Sequence, residues 1–398
     1  MPASDTPFSL KKIAVPAFGP GLFYGVGNGA MMPVIALSAR ELGASVATAG
    51  VIVALFGIGS LLSNIPAALI TARYGERRSM AGAALFSVIA MLVCIFAPHA
   101  LVLAAGVFAT GMAASVFILA RQTYLIEAVP AVLRARALST LAGANRIGVF
   151  IGPFLGALLI KFIGLDGGYW VTLGAMVVAG AIALSAPDLS HEGPLPEAAR
   201  VKRPMREVIR DSRLVLLTLG GGVLLLSAVR ASRQVVLPLW ADHLGMDAAT
   251  NSLIYGLAAA VDMTVFYPAG AVMDRHGRMW IAVPSAVLMG LALIGIALTG
   301  GATSFIVLAL LLGLGNGIGS GIVMTLGADS APRAERTEFL GVWRVIADLG
   351  NSAGPVFLSI ITAVASLAAG VAATGVVGLA AAAVFWRWLP HGSAAGKQ

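Results

Sequence analysis

Gly148-Val-Phe-Ile-Gly152-Pro153 returns further along the chain as Gly350-Asn-Ser-Ala-Gly354-Pro355, every position displaced by 202 residues. The same displacement carries Pro66-Ala67 to Pro268-Ala269, Arg73-Tyr74-Gly75 to Arg275-His276-Gly277, Leu42-Gly43 to Leu244-Gly245, and Gly111 to Gly313. One constant offset at five separated sites makes the chain two copies of one unit.

Composition says what the unit is made for. Of the 398 residues, 59% are hydrophobic and 11% charged, and the mean hydropathy is +0.92. Soluble domains carry about 25% charged residues. Runs of about 20 apolar residues cross a hydrocarbon core about 30 Å thick. Twelve such runs are read here: 15–38, 47–71, 79–97, 100–126, 137–161 and 168–187, then 214–240, 249–273, 279–299, 303–327, 338–363 and 367–388. Helices satisfy their own backbone in lipid, so the expected fold is an all-α membrane protein with twelve transmembrane helices in two pseudo-symmetric six-helix bundles. The expected division is 1–187 for the first bundle, 188–213 for a cytoplasmic linker and 214–398 for the second bundle.

Orientation follows from the basic residues. With both termini inside, 19 of the 26 Lys and Arg residues fall on the cytoplasmic side, among them Lys11, Lys12, Arg200, Lys202, Arg203, Arg333 and Lys397. Arg40 and Lys161 fall outside, and five arginines lie within spans. That asymmetry is the positive-inside pattern. The net charge of +8 therefore reads as anchoring to the inner leaflet and not as nucleic-acid binding. Lys11 and Lys12 precede an uncleaved first helix, because the apolar run is too long for a signal peptide. Trp386 and Trp388 fit an interfacial belt.

The linker opens with Pro187, Pro194 and Pro196, an extended stretch. Met205, Val208 and Ile209 alternate with Arg206, Arg210 and Arg213 at helical spacing, which allows an inner-surface helix, but a solvated tether is the simpler expectation. The lone Cys94 excludes an intrachain disulfide. His99, His191, His243, His276 and His391 lack metal-ligand spacing. No phosphate-binding loop of the Walker type is present. No enzyme, metal or cofactor is expected.

The loop after the eighth span reads Gly270-Ala-Val-Met-Asp274-Arg275-His-Gly277-Arg278. Glycine permits close helix approach, an acid suits a neighbouring helix N-terminus, and the arginines can pair across the face. This resembles the loop signature of the major facilitator superfamily, and the likeness extends over residues 15–390. The first copy departs from it, with Ala68, Ala72 and Glu76 where the family places glycine, an acid and an arginine. Arg73 and Gly75 remain. Glu127 and Arg134, repeated as Asp329 and Arg336, resemble the family's cytoplasmic charge networks, made in one state and broken in the other. Gly148, Gly152, Pro153 and Gly156 look like the fifth-helix signature of the family's drug and proton antiporters. Val107 stands where those antiporters carry an arginine implicated in proton coupling, so coupling is expected elsewhere.

A charge at mid-bilayer costs about 2.5 to 3.5 kcal/mol on insertion scales. The spans nevertheless hold Arg121, Arg146, Arg230, Arg233, Asp262, Arg344 and Asp348. Arg146 and Asp262 are both central, on spans that meet between the halves in the superfamily, and an inter-half ion pair is expected. Asp348 is the repeat mate of Arg146, and Arg344 lies one turn before it. Asp262 and Asp348 are the expected proton carriers. Tyr24, Asn28, Arg230, Gln234, Asn316 and Trp343 are the expected substrate-cavity residues. Five arginines against two acids favour an anionic or zwitterionic group on the substrate.

Duplicated helical halves around a midplane site are the layout of a secondary transporter. The resemblance implies alternating access, and the expected activity is proton-coupled efflux of small amphipathic molecules by a monomer in a bacterial inner membrane, with lipid around it. An importer or facilitator of an organic anion or sugar, and a lipid-flipping member of the superfamily, are the alternatives.

Overall fold

Long apolar runs become helices because lipid offers backbone groups no partner, and the described residues form helices joined by short turns. The computed structural model describes residues 14–130, 133–187, 205–332 and 335–390. Lys11, Lys12, Arg200, Lys202, Arg203, Arg333, Lys397, His191, His391 and the Pro194 to Pro196 stretch lie outside the described residues. The first half holds α1 (Ala14–Glu41), α2 (Val46–Leu62), α3 (Asn64–Tyr74), α4 (Glu76–Ile95), α5 (Ala100–Ala128), α6 (Arg134–Ile163) and α7 (Asp166–Ser185). Two short helices follow, α8 (Met205–Asp211) and α9 (Arg213–Leu217). The second half holds α10 (Leu219–His243), α11 (Ala248–His276), α12 (Met279–Ile296), α13 (Ala302–Ile318), α14 (Ile322–Ser330), α15 (Arg336–Val364) and α16 (Leu367–Trp388). Among the described residues, eleven helical segments are long and apolar enough to cross a membrane, and α2 with α3, bent by 50°, make a twelfth. Leu85, Phe86 and Ile89 on α4, Leu155 and Leu158 on α6, and Val376 on α16 are exposed in mid-span. A lipid-facing surface accounts for them.

The offset seen in sequence is also an offset in packing. A methyl group built on Gly148 would overlap the carbonyl of Leu22, and one on Gly350 that of Leu224. The same pairing joins Gly152 to Val26 and Gly354 to Ala228, and Gly111 to Phe56 and Gly313 to Ala258. Each contact maps onto its mate by adding 202 to both partners. The α1·α6 and α10·α15 crossings are therefore one geometry used twice, and glycine is required because backbone meets backbone there. Gly156 has ordinary clearance, 3.5 Å from Ala30, so the obligate part of the motif is Gly148 and Gly152. Gly270, expected to permit close approach, has nothing within 4 Å.

Turns repeat as well. Gly75 and Gly277 end α3 and α11 at φ 77° and 100°, and their N–H groups bond the repeat-related carbonyls of Thr71 and Met273. A left-handed cap favours glycine at both places. Ser45 and Asp247, also mates, cap α2 and α11 by accepting from the N–H groups of Thr48 and Thr250.

The halves differ in where a span breaks. The expected continuous run 47–71 is interrupted at Ser63, whereas its mate α11 is unbroken although Pro66 and Pro268 are equivalent. Proline alone does not decide the break; Asn64 bonds Ser115 at 2.8 Å and Asp348 at 3.2 Å across the kink. The expected run 303–327 is interrupted at Gly319-Ser320-Gly321, with Gly321 left-handed at φ 89°, whereas its mate α5 is unbroken. The linker also departs from the solvated tether expected of it. Residues 205–211 are helical, and Val208 is buried against the second half, where α8 contacts α15.

Candidate functional site

Two seams join the halves. At the first, α6 meets α11, and Arg146 reaches Asp262 with Nη1 at 3.3 Å from Oδ1. Asp262 also accepts from Asn316 Nδ2 at 2.5 Å and lies 3.9 Å from Arg233 Nη1. Arg146 donates from Nη2 to Ser320 Oγ at 2.5 Å and stacks 4.1 Å from the Phe266 ring centre. Ser320 is reachable because span ten breaks at that point. Arg233 lies 5.7 Å from the Tyr255 ring, and Arg230 has Nε and Nη2 enclosed without a hydrogen-bond partner. Three guanidinium groups thus converge around one carboxylate.

At the second seam, α15 meets α2. Asp348 accepts from Asn64 Nδ2 at 3.2 Å and lies 3.9 Å from Arg344 Nε in its own helix. Asp348 is the repeat mate of Arg146, and Asn64 is the mate of Phe266. The two contacts are therefore one position in the fold with different chemistry.

A cavity of about 680 Å³ opens between α5 and α6 of the first half and α11 and α14 of the second. Its walls include Arg121, Gln122, Asn145, Arg146 and Asp262 with Leu138, Val149 and Phe266. It lies toward the end of the bundle that carries the Gly75 and Gly277 turns, called here the basic end. A second, smaller cavity of about 300 Å³ holds Arg230, Arg233, Gln234, Asn316 and Asp348 between α2, α10 and α15. At the opposite end the halves touch. Arg40 Nε lies 3.7 Å from Asp242, again a pair 202 apart, and Asn251 donates to the Pro33 carbonyl at 3.3 Å.

Against the sequence expectations, the Arg146–Asp262 and Arg344–Asp348 pairs are present, and Arg230, Gln234 and Asn316 share one cavity wall. Trp343 does not line either cavity. It is buried, stacked on Phe339 at 5.7 Å, and donates to the Val323 carbonyl at 2.8 Å because an indole N–H inside a bundle needs an acceptor. Tyr24 stacks on Phe117 and lies 5.6 Å from Arg121, and the buried Asn28 Oδ1 has no partner.

The expected gate pairs are redistributed. Asp329 pairs with Arg278 at 2.7 Å, not with Arg336, which is exposed. Arg134 Nε donates to the carbonyls of Ile126 and Val129 at 3.0 and 3.4 Å, closing the end of α5, while Glu127 lies beside Glu76. Helix ends expose carbonyl acceptors, and the guanidinium donates to these near ones instead of to a more distant carboxylate. Asp274 and Arg275 are exposed and form no ion pair among the described residues; Arg73 lies over Tyr74 at 5.6 Å. Asn64, Phe266, Ser320 and Arg121 were missed as site residues. The Arg40–Asp242 contact was not read from the sequence, although the two residues are repeat mates.

The family model described as Major Facilitator Superfamily matches residues 21–355, with a second match over 221–397. The chain is 25% identical over 332 residues to an uncharacterised MFS-type transporter, YhjO, of Bacillus subtilis (strain 168), covering 82% of this chain and 81% of that one. It is 27% identical over 297 residues to a chloramphenicol resistance protein of Streptomyces lividans, covering 71% and 70%. Among solved structures, a bacterial homologue of the human lysosomal transporter Spinster, in an inward-facing and unoccupied conformation, superposes with a TM-score of 0.78 at 14% identity, covering 96% of this chain and 97% of that one.

Proposed function

The chain belongs to the major facilitator superfamily, and from that premise we propose that it is a proton-coupled exporter of small amphipathic molecules working by alternating access. The observation that carries the reading is the Arg146–Asp262 pair, which bridges the halves beside a cavity that both halves line. A proton on Asp262 removes the charge that Arg146, Arg233 and Asn316 converge on. The first seam then loosens, the halves rock, and the Arg40–Asp242 end parts. Asp348, held by Asn64 and Arg344, is the second carrier and makes the return step sensitive to the other seam.

With the basic end at the cytoplasm and both termini inside, the cavity faces the cytoplasm, as export requires. Residues 1–187 and 214–398 are the moving bodies of a monomer embedded in lipid, with 188–213 as the tether. Substrate enters the 680 Å³ cavity, and Arg230, Gln234 and Asn316 line the smaller cavity on the other side of Asp262, with Tyr24 and Asn28 behind the wall. The gate is assigned to Arg278 and Asp329, with Asp274, Arg275 and Arg336 available to pair when the basic end closes. The chloramphenicol resistance relative supports efflux as the direction. Chloramphenicol accumulation in inverted vesicles is the test: a protonophore should abolish uphill uptake, and unchanged accumulation rejects proton drive.

The excess of arginine at the centre favours a second reading, an importer or facilitator of an organic anion. Counterflow without a pH gradient distinguishes the two.

A further inference from the structure

Arg121 is the charge that the transport cycle above does not use. It is 7% exposed, lies on α5 and lines the larger cavity. Among the described residues no carboxylate comes within ion-pair distance of it. Its contacts are the face of Tyr24, 5.6 Å away, and the Asn145 Oδ1, 3.5 Å from Nη1. Nε is enclosed and unpartnered, and Nη2 donates no hydrogen bond among the described residues. A buried guanidinium held by one long amide contact and one aromatic face lacks the anion that its charge calls for.

The neighbouring arginine shows the difference. Arg146, in the same cavity, is already matched by Asp262, Ser320 and Phe266. Nor does the repeat supply a second copy of the site. The mates of Arg121, Asn145 and Tyr24 are Val323, Ala347 and Leu226, all apolar. The anion-seeking feature belongs to the first half alone. Around it the cavity is lined by Ile126, Leu138, Leu141, Val149, Met263 and Phe266.

We propose that Arg121 receives the carboxylate of an amphipathic monocarboxylate whose apolar body lies in the 680 Å³ cavity against α6 and α11. A guanidinium matches a carboxylate in charge-assisted hydrogen bonds, and Nη2, which donates none among the described residues, is the donor left for it. Asn145 and Tyr24 position it by holding Nη1 and the face. Cationic amphiphiles are disfavoured, because Arg121 has no carboxylate to offer them. The proposal names the substrate class of the transporter described above and rests on that reading for the meaning of the cavity.

Binding to the purified full-length chain in detergent is measured by calorimetry for decanoate, phenylbutyrate and naphthoate, each against its primary amide and its amine. At least one acid should bind about tenfold or more tightly than its amide, the scale of a lost charge-assisted hydrogen bond. Arg121→Gln should erase the difference between acid and amide. Arg121→Lys, which keeps the charge but not the guanidinium, should retain part of it. The wild-type comparison stands even if Arg121→Gln does not fold. Equal binding of acid and amide, tighter binding of the amine, tighter binding of inorganic phosphate than of any acid, or a difference that survives in folded Arg121→Gln overturns the proposal. Binding needs no gradient, so loss of proton drive leaves this result intact, and loss of acid selectivity leaves proton-driven flux intact.

Discussion

The two seams occupy one position in the fold and do different work. Arg146 sits on Phe266 at the first seam, and Asp348 bonds Asn64 at the second; each partner is the repeat mate of the other seam's partner. At the first seam a cross-half ion pair is reinforced by Asn316 and Ser320, with side chains 28% and 14% exposed. At the second, among the described residues, the cross-half hydrogen bond is from an amide to a carboxylate, and the arginine involved lies in the same helix and is 58% exposed. Duplication preserved backbone geometry while side-chain chemistry diverged. One seam carries an ion pair between the halves, and the other carries an amide-to-carboxylate hydrogen bond in its place.

The comparison breaks most severely where both halves share backbone contact. Gly148→Val or Gly354→Val drives a side chain into a carbonyl of the neighbouring helix. Overpacking costs about 1 to 3 kcal/mol even among side chains, and more against backbone. Folded yield and detergent melting temperature should collapse, whereas Gly82→Val, with open space around it, should melt like the parent. A normal melting curve for Gly354→Val would remove the claim that the crossings are obligate in both copies.

Next in size is Asp262→Asn, which leaves Arg146 and Arg233 without their carboxylate; breaking one side of a buried pair costs about 3 to 5 kcal/mol. The partial exposure of Arg146 places the expected loss at the lower end. Asp348→Asn should cost less, because Arg344 remains solvated. In the proposed exporter, transport should lose its pH dependence in Asp262→Asn and keep part of it in Asp348→Asn. The reverse order would exchange the assignments of the seams.

Smaller again is Arg40→Ala. Both partners of the Arg40–Asp242 pair are exposed to water, 39% and 44%, and such pairs are worth about 0 to 1 kcal/mol. The expected outcome is little change in melting temperature but faster labelling of a cysteine introduced at the buried Ser252, beside the Asn251–Pro33 contact, restored by the exchange Arg40→Asp with Asp242→Arg. Labelling unchanged in Arg40→Ala would show that this pair does not hold the end closed.

The finest contrast lies in the two helix caps. Ser45→Ala and Asp247→Ala should each cost about 1 kcal/mol at neutral pH, a typical capping loss. The hydroxyl and N–H of Thr250 hold the Asp247 carboxyl below its ordinary value. A depressed carboxylate stabilises above its unfolded value and loses that contribution as the pH falls through the folded one. The Asp247→Ala penalty should therefore shrink below about pH 4, whereas the Ser45→Ala penalty persists.

Much of this architecture was legible before any coordinates. Gly148, Gly152, Gly350 and Gly354 announced a crossing used twice, and Arg146 with Asp262 announced an inter-half pair, because a charge in mid-span needs a partner. The gate was read less well. Glu127 and Arg134 are seven apart in sequence, but the loop between them turns Arg134 toward the end of α5, and Asp329 finds Arg278 from a different loop. Trp343 looked like a cavity aromatic, yet aromatic residues line cavities and fill bundle interiors with equal ease.

The 202-residue offset and the apolar runs by themselves determined the all-helical span pattern, the duplication and the glycine contacts, because backbone hydrogen bonding in lipid and close helix approach are local demands written in local residues. Only the tertiary structure decided that span ten opens at Ser320 to meet Arg146, that Asn64 crosses to Asp348, and that Arg121 has no carboxylate partner among the described residues. Those outcomes depend on which side chains from distant helices arrive within a few ångströms of one another, and at these positions the two copies differ, so the repeat does not record them.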